Sequence, residues 1–244
     1  MVIAEKPWKI KGVARLALGT LVTAYAGLVL ASLLGSVKIK LTDDHREFAQ
    51  MAVVEVFFEG GALVWIGFFL RENQVSLREA FGLEAARTPK AARWGVLAAV
   101  LFVPVALGLQ YLSALLMRHP EAQQMVQVLR RADLPAGERL FMGVLAVLVA
   151  PVAEEAMFRG ILYPAIKQWG HPRAAVWVTS LLFAGMHFNL PSFVPLAVFS
   201  MVLIYLYEKT GSLLAPITAH SVFNYTTFLM TMLAAAPGSP VPVK

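Results

Sequence analysis

The chain has 244 residues, 58% hydrophobic and 15% charged, with a mean hydropathy of +0.66. That apolar content exceeds what a soluble core of this length buries, so an integral membrane protein is expected. A formal net charge of +6 suits anionic lipid headgroups and calls for no nucleic acid, and the lack of cysteine excludes disulfides and thiolate metal sites.

Apolar runs recur at 13–34, 49–70, 94–116, 139–166, 174–188, 193–207 and 213–233. Most approach the ~20 residues of a spanning helix. Seven spans are predicted, with an eighth if the amphipathic stretch 122–134 enters the interface. The first run follows Lys6, Lys9, Lys11 and Arg15 and contains Ala24-Tyr25-Ala26, a small-residue cleavage pattern. Its apolar part continues to Val37, past the core of a signal peptide, which favours a retained span. The basic N-terminus predicts a cytoplasmic start, with Arg71, Arg78, Arg87, Lys90 and Arg93 on the same side and Lys38, Lys40, Arg130 and Arg131 opposite. Within the loop 71–93, residues 77–83 predict a short interfacial helix closed by Gly82. The proline-rich tail 237–244 predicts disorder. With no linker and no repeat, residues 1–244 read as a single membrane domain.

The fourth run carries Glu154, Glu155 and Arg159. Each ionisable group at a bilayer centre costs roughly 2.5–3.5 kcal/mol on insertion scales, so three on one helix require partners or a wet cavity. At 100° per residue Arg159 lies about 40° from Glu155 and about 140° from Glu154, which predicts a Glu155–Arg159 pair and leaves Glu154 available as a general base or acid. Pro151 removes a backbone N–H and predicts a kink that frees the Val147 carbonyl. His45, His119 and His171 read as solvated loop residues. His187 shares a helix face with Phe183, and His220 shares one with Asn224.

Taking the turn at 168–172 as a membrane face, Glu154 and His187 lie roughly 20 and 21 Å from it and His220 about 12 Å, so these groups are expected in one cavity. A carboxylate and an imidazole at one level deprotonate water, and His220 and Asn224 supply donors to an oxyanion, a constellation for amide hydrolysis. Glu55 and Glu59 form a second intramembrane acidic pair, expected to line the cavity wall or buttress Arg159. Trp65, Trp94 and Trp177 read as core or interfacial anchors.

Glu154-Glu155-x-x-x-Arg159, Phe183-x-x-x-His187 and His220-x-x-x-Asn224, with Thr210-Gly211-Ser212-Leu213 before the third, resemble the motifs of the CPBP family. Its members include type II CAAX prenyl endopeptidases, also called Ras-converting enzymes, and bacterial Abi-type proteins linked to bacteriocin immunity. The resemblance covers 139–225, the expected peptidase core. It implies an all-α polytopic membrane bundle with a conical intramembrane active-site cavity, and a glutamic endopeptidase acting on a peptide or lipidated-protein substrate among membrane lipids. By that resemblance Glu154 and His187 activate water, His220 and Asn224 form the oxyanion site, and Glu155, Arg159 and Phe183 support them. No cofactor is expected. Two alternatives stay open: a zinc peptidase using Glu154, His187 and His220 as ligands, and a non-catalytic immunity or transport protein. The expected location is the cell membrane.

Overall fold

The computed structural model describes residues 3, 5–36, 43–84, 88–117, 120–131 and 134–235. The expectations for the tail 237–244 and for Lys38, Lys40, Arg87 and His119 fall outside them. Among the described residues every regular element is helical. Helix α1 is Ile10–Ser36, and α2 runs from Asp43–Glu55 through a π turn at Val56–Gly60 into Gly61–Glu72. The short α3 (Leu77–Phe81), the long α4 (Thr88–Leu115) and the short α5 (Gln124–Leu129) follow. Helix α6 is a chain of segments, Ala136–Val144, the π turn Leu145–Val149, Ala150–Glu155, the π turn Ala156–Leu162 and Tyr163–Gln168. Three helices close the bundle: α7 (Pro172–Gly185), α8 (Leu190–Thr210) and α9 (Leu214–Ala235).

Each of the seven apolar runs forms a helix. By length and composition five of them, α1, α2, α4, α6 and α8, are able to cross a membrane. Their outward faces carry exposed Leu18, Leu21, Val100, Leu101 and Phe68, apolar surface that lipid rather than water suits. Helix α7 has 14 residues, about 21 Å against a hydrocarbon core of about 30 Å. Helix α9 has 22 residues, but His220, Asn224 and four threonines dilute its apolar character. Helix α7 thus falls short on length and α9 on composition, which lowers the count of clear spans. The stretch 122–134 adds no span: α5 is 6 residues long, and its Val128 and Leu129 are buried against Met51, Leu134 and Met142.

Helix α3 forms where the loop pattern predicts it. Ser76 and Glu79 make a reciprocal capping box at its start, and Gly82 ends it in the left-handed region at φ 63°. A Cβ at Gly82 would stand 2.0 Å from the Gly211 carbonyl oxygen, so only glycine fits. That close approach lets the Leu213 N–H donate to the Phe81 carbonyl (2.8 Å), which ties α3 to the turn between α8 and α9.

The segment before α1 is part of the core. Ile3 and Trp8 are buried, and the Trp8 indole N–H donates to the Gly160 carbonyl at 3.1 Å, inside the second π turn of α6. Lys6 Nζ donates to the Glu79 carbonyl (3.0 Å), and its partial desolvation there holds its pKa below the usual lysine range. His45 departs from the loop expectation: it lies in the first turn of α2, and its Nδ1 is 2.9 Å from Glu138 Oε1. A neighbouring helix thus supplies a partner that local sequence does not reveal.

Candidate active site

The site is built around the irregular middle of α6. The Ala150 N–H donates to the Leu145 carbonyl, five residues back, as a π turn requires. In that register the next donor would be residue 151 and its acceptor Ala146, but Pro151 has no N–H. Asn224 of α9 replaces it, with Nδ2 donating to the Ala146 carbonyl at 2.8 Å. The proline therefore frees the Ala146 carbonyl instead of that of Val147, because the π turn shifts the pattern by one residue. One N–H of the Asn224 amide is committed to the backbone and one remains for other work. Asn224→Asp, whose carboxylate cannot donate, is expected to lower stability by about 1–3 kcal/mol, read as a lower Tm of the purified protein.

Glu155 and Arg159 are both 0% exposed, and Arg159 Nη1 donates to Glu155 Oε1 at 2.8 Å, the i, i+4 pair that helical spacing predicts. Arg159 Nη2 donates to Ser200 Oγ on α8 (2.7 Å), and the guanidinium stacks 4.3 Å from the Phe183 ring centroid. The same Glu155 oxygen accepts from His220 Nδ1 at 2.8 Å. Because that oxygen faces two donors, Nδ1 of His220 carries the proton, and Nε2 is the ring atom left for other partners.

His220 Nε2 lies 3.9 Å from Glu154 Oε2, an approach too long for a direct hydrogen bond. Among the described residues no arginine or lysine bonds Glu154, and its Oε2 has no hydrogen-bond partner. His187 sits just beyond the last residue of α7 instead of on the helix, and its Nδ1 donates to the Phe183 carbonyl at 2.8 Å. Its Nε2 therefore carries the lone pair in the neutral ring. The Phe183 ring touches His187 (5.1 Å between centroids) and His220 (5.6 Å), and packs edge-on against Phe158 of α6. The structure thus brings Glu154, Glu155, Arg159, Phe183, His220 and Ser200 together. His187 joins them through Phe183, with no hydrogen bond or ion pair to Glu154 among the described residues.

The zinc alternative needs three converging ligands. Among the described residues no group of three His, Asp or Glu side chains is arranged to hold an ion. An apolar groove of about 570 Å³ adjoins the site, lined in part by Ile66, Phe81, Ile217 and by Val152 and Ala156, the α6 residues on either side of the acidic pair.

Residues 136–226 match the family described as type II CAAX prenyl endopeptidase Rce1-like. That matched segment carries the site: it begins with α6 and ends two residues after Asn224, so every motif residue named above lies inside it. Over 85 residues the chain is 34% identical to the uncharacterized protein YpbD of Bacillus subtilis (strain 168), covering 33% of this chain and 41% of that protein. The chain thus spans well under half the length of the curated relative it matches. No solved structure matches it.

Three contributors escape the motif pattern. Ser200 is a single hydroxyl in an apolar helix, Trp8 lies 152 positions before Gly160, and Glu59 sits in the turn of α2 that packs on the segment carrying Glu154. The only sequence signal among them was the expense of Glu59 in a span, which marked it as unusual without naming its partner.

Proposed function

We propose that this protein is an intramembrane endopeptidase that hydrolyses a peptide bond in a membrane-embedded or lipidated substrate, with no metal in the reaction. The observation that carries the reading is the division of labour in the acidic pair: Glu155 is committed to Arg159 and His220, while Glu154 Oε2 stays unpartnered beside His220 Nε2. The Rce1-like family description supports it.

In the proposed reaction Glu154 takes a proton from water, assisted by the lone pair on His187 Nε2, and the water oxygen attacks the peptide carbonyl. His220, aimed by Glu155, and the free N–H of Asn224 form the oxyanion site. Glu154 then gives its proton to the leaving amine.

The test is cleavage of peptides with and without a C-terminal lipid by purified protein, with and without chelator. Cleavage at one internal bond, unchanged after exhaustive chelation, is the expected result. Loss of cleavage with chelator and its return with zinc would overturn the metal-free chemistry, and no cleavage of any peptide would favour a non-catalytic role.

A further inference from the structure

Glu55 and Glu59 lie on α2, outside the residues that the proposed chemistry uses. Glu55 immediately precedes the π turn Val56–Gly60 and Glu59 lies within it, and Glu59 is 2% exposed while Glu55 stays half-buried. That turn packs against the Ala150–Glu155 segment of α6. There Glu59 and Glu154 each bury a carboxyl oxygen, Oε2, and these two carboxyls and that of Glu55 are close enough to act on one another electrostatically.

The two basic side chains nearest these carboxyls are engaged elsewhere. Arg159 bonds Glu155 and Ser200, and His220 turns Nδ1 to Glu155 with Nε2 3.9 Å from Glu154. Among the described residues neither Oε2 of Glu59 nor Oε2 of Glu154 has a hydrogen-bond partner. Two bare carboxylates cannot hydrogen-bond to one another, and placing both charges unpaired in an apolar span is strongly unfavourable. A proton between them removes one charge and supplies the donor that each oxygen lacks.

We propose that Glu59 and Glu154 hold one proton between them across the α2–α6 interface, making Glu59 the positioning residue that orients the Glu154 carboxylate. The catalytic part of this inference rests on the peptidase reading of Glu154. In the cycle the Glu59 O–H donates to Glu154. Glu154 accepts a proton from water as the water oxygen bonds to the carbonyl carbon, and that proton passes to the nitrogen as the C–N bond breaks. The pair ends with the one proton it began with.

Infrared spectra of the purified full chain, exchanged into D₂O at neutral pH, test the shared proton without any turnover. The expected wild-type spectrum contains the absorption of a protonated carboxyl, and Glu59→Gln reduces it by one carboxyl per chain, because the amide gives Glu154 a donor with no proton to share. Kinetically, Glu59→Gln is expected to lower kcat on the order of 100-fold with KM unchanged, the signature of a displaced base. A wild-type spectrum without that absorption, or one that Glu59→Gln leaves intact, overturns the proposal. Should Glu59→Gln fail to fold, the absence of that absorption from the wild-type spectrum still overturns the proposal. A protein inert on all peptides would remove the peptidase reading while the infrared result judged the shared proton separately.

Discussion

Glu154→Gln is expected to abolish measurable peptide hydrolysis, with a loss of up to roughly 10⁴-fold in single-turnover cleavage, while the protein inserts and melts like the wild type. The amide keeps the shape and the polar contacts of the carboxyl but cannot take a proton from water. Stability is spared because Glu154 bonds neither Arg159 nor His220 directly, and the amide that replaces its carboxyl offers both a donor and an acceptor to Glu59. Turnover retained in Glu154→Gln would show that another group is the base. A large fall in Tm would place Glu154 in the structural network instead.

Glu155→Gln is expected to fail in the opposite way. Glu155 is the acidic partner of a guanidinium that is 0% exposed, and its Oε1 also holds His220. Removing one partner of such a pair leaves an uncompensated buried charge, a loss of about 3–5 kcal/mol. The measurement is the thermal midpoint or the yield of folded protein after extraction. Replacing both members, Glu155→Leu with Arg159→Met, is expected to recover a large part of that stability, since no charge is then stranded. It should not recover activity, because His220 loses the acceptor that aims its ring. If Glu155→Gln melts with the wild type, the pair does not hold the fold.

These two expectations separate what local sequence determines from what assembly decides. The existence of seven helices follows from apolar runs long enough to demand them, and the Glu155–Arg159 pair from helical spacing, since residues four apart share a face in any helix. Gly82 and the Ser76 capping box are equally local, because turn and cap chemistry acts within a few residues. The motif residues stand out because polar groups in apolar spans are expensive.

Tertiary structure alone decided the rest. Asn224 reaches the Ala146 carbonyl only because the π turn shifts the register ahead of Pro151 and α9 lies alongside. Ser200, Trp8 and Glu138 find Arg159, Gly160 and His45 across 41, 152 and 93 positions, separations at which no periodicity operates. His187 ends up past its helix, bonded to Phe183 instead of to Glu154. The meeting of Glu59 with Glu154 is of the same kind. Sequence spacing relates side chains within one helix, whereas which charge faces which across helices is set by how the apolar faces pack, and that is a property of the whole bundle.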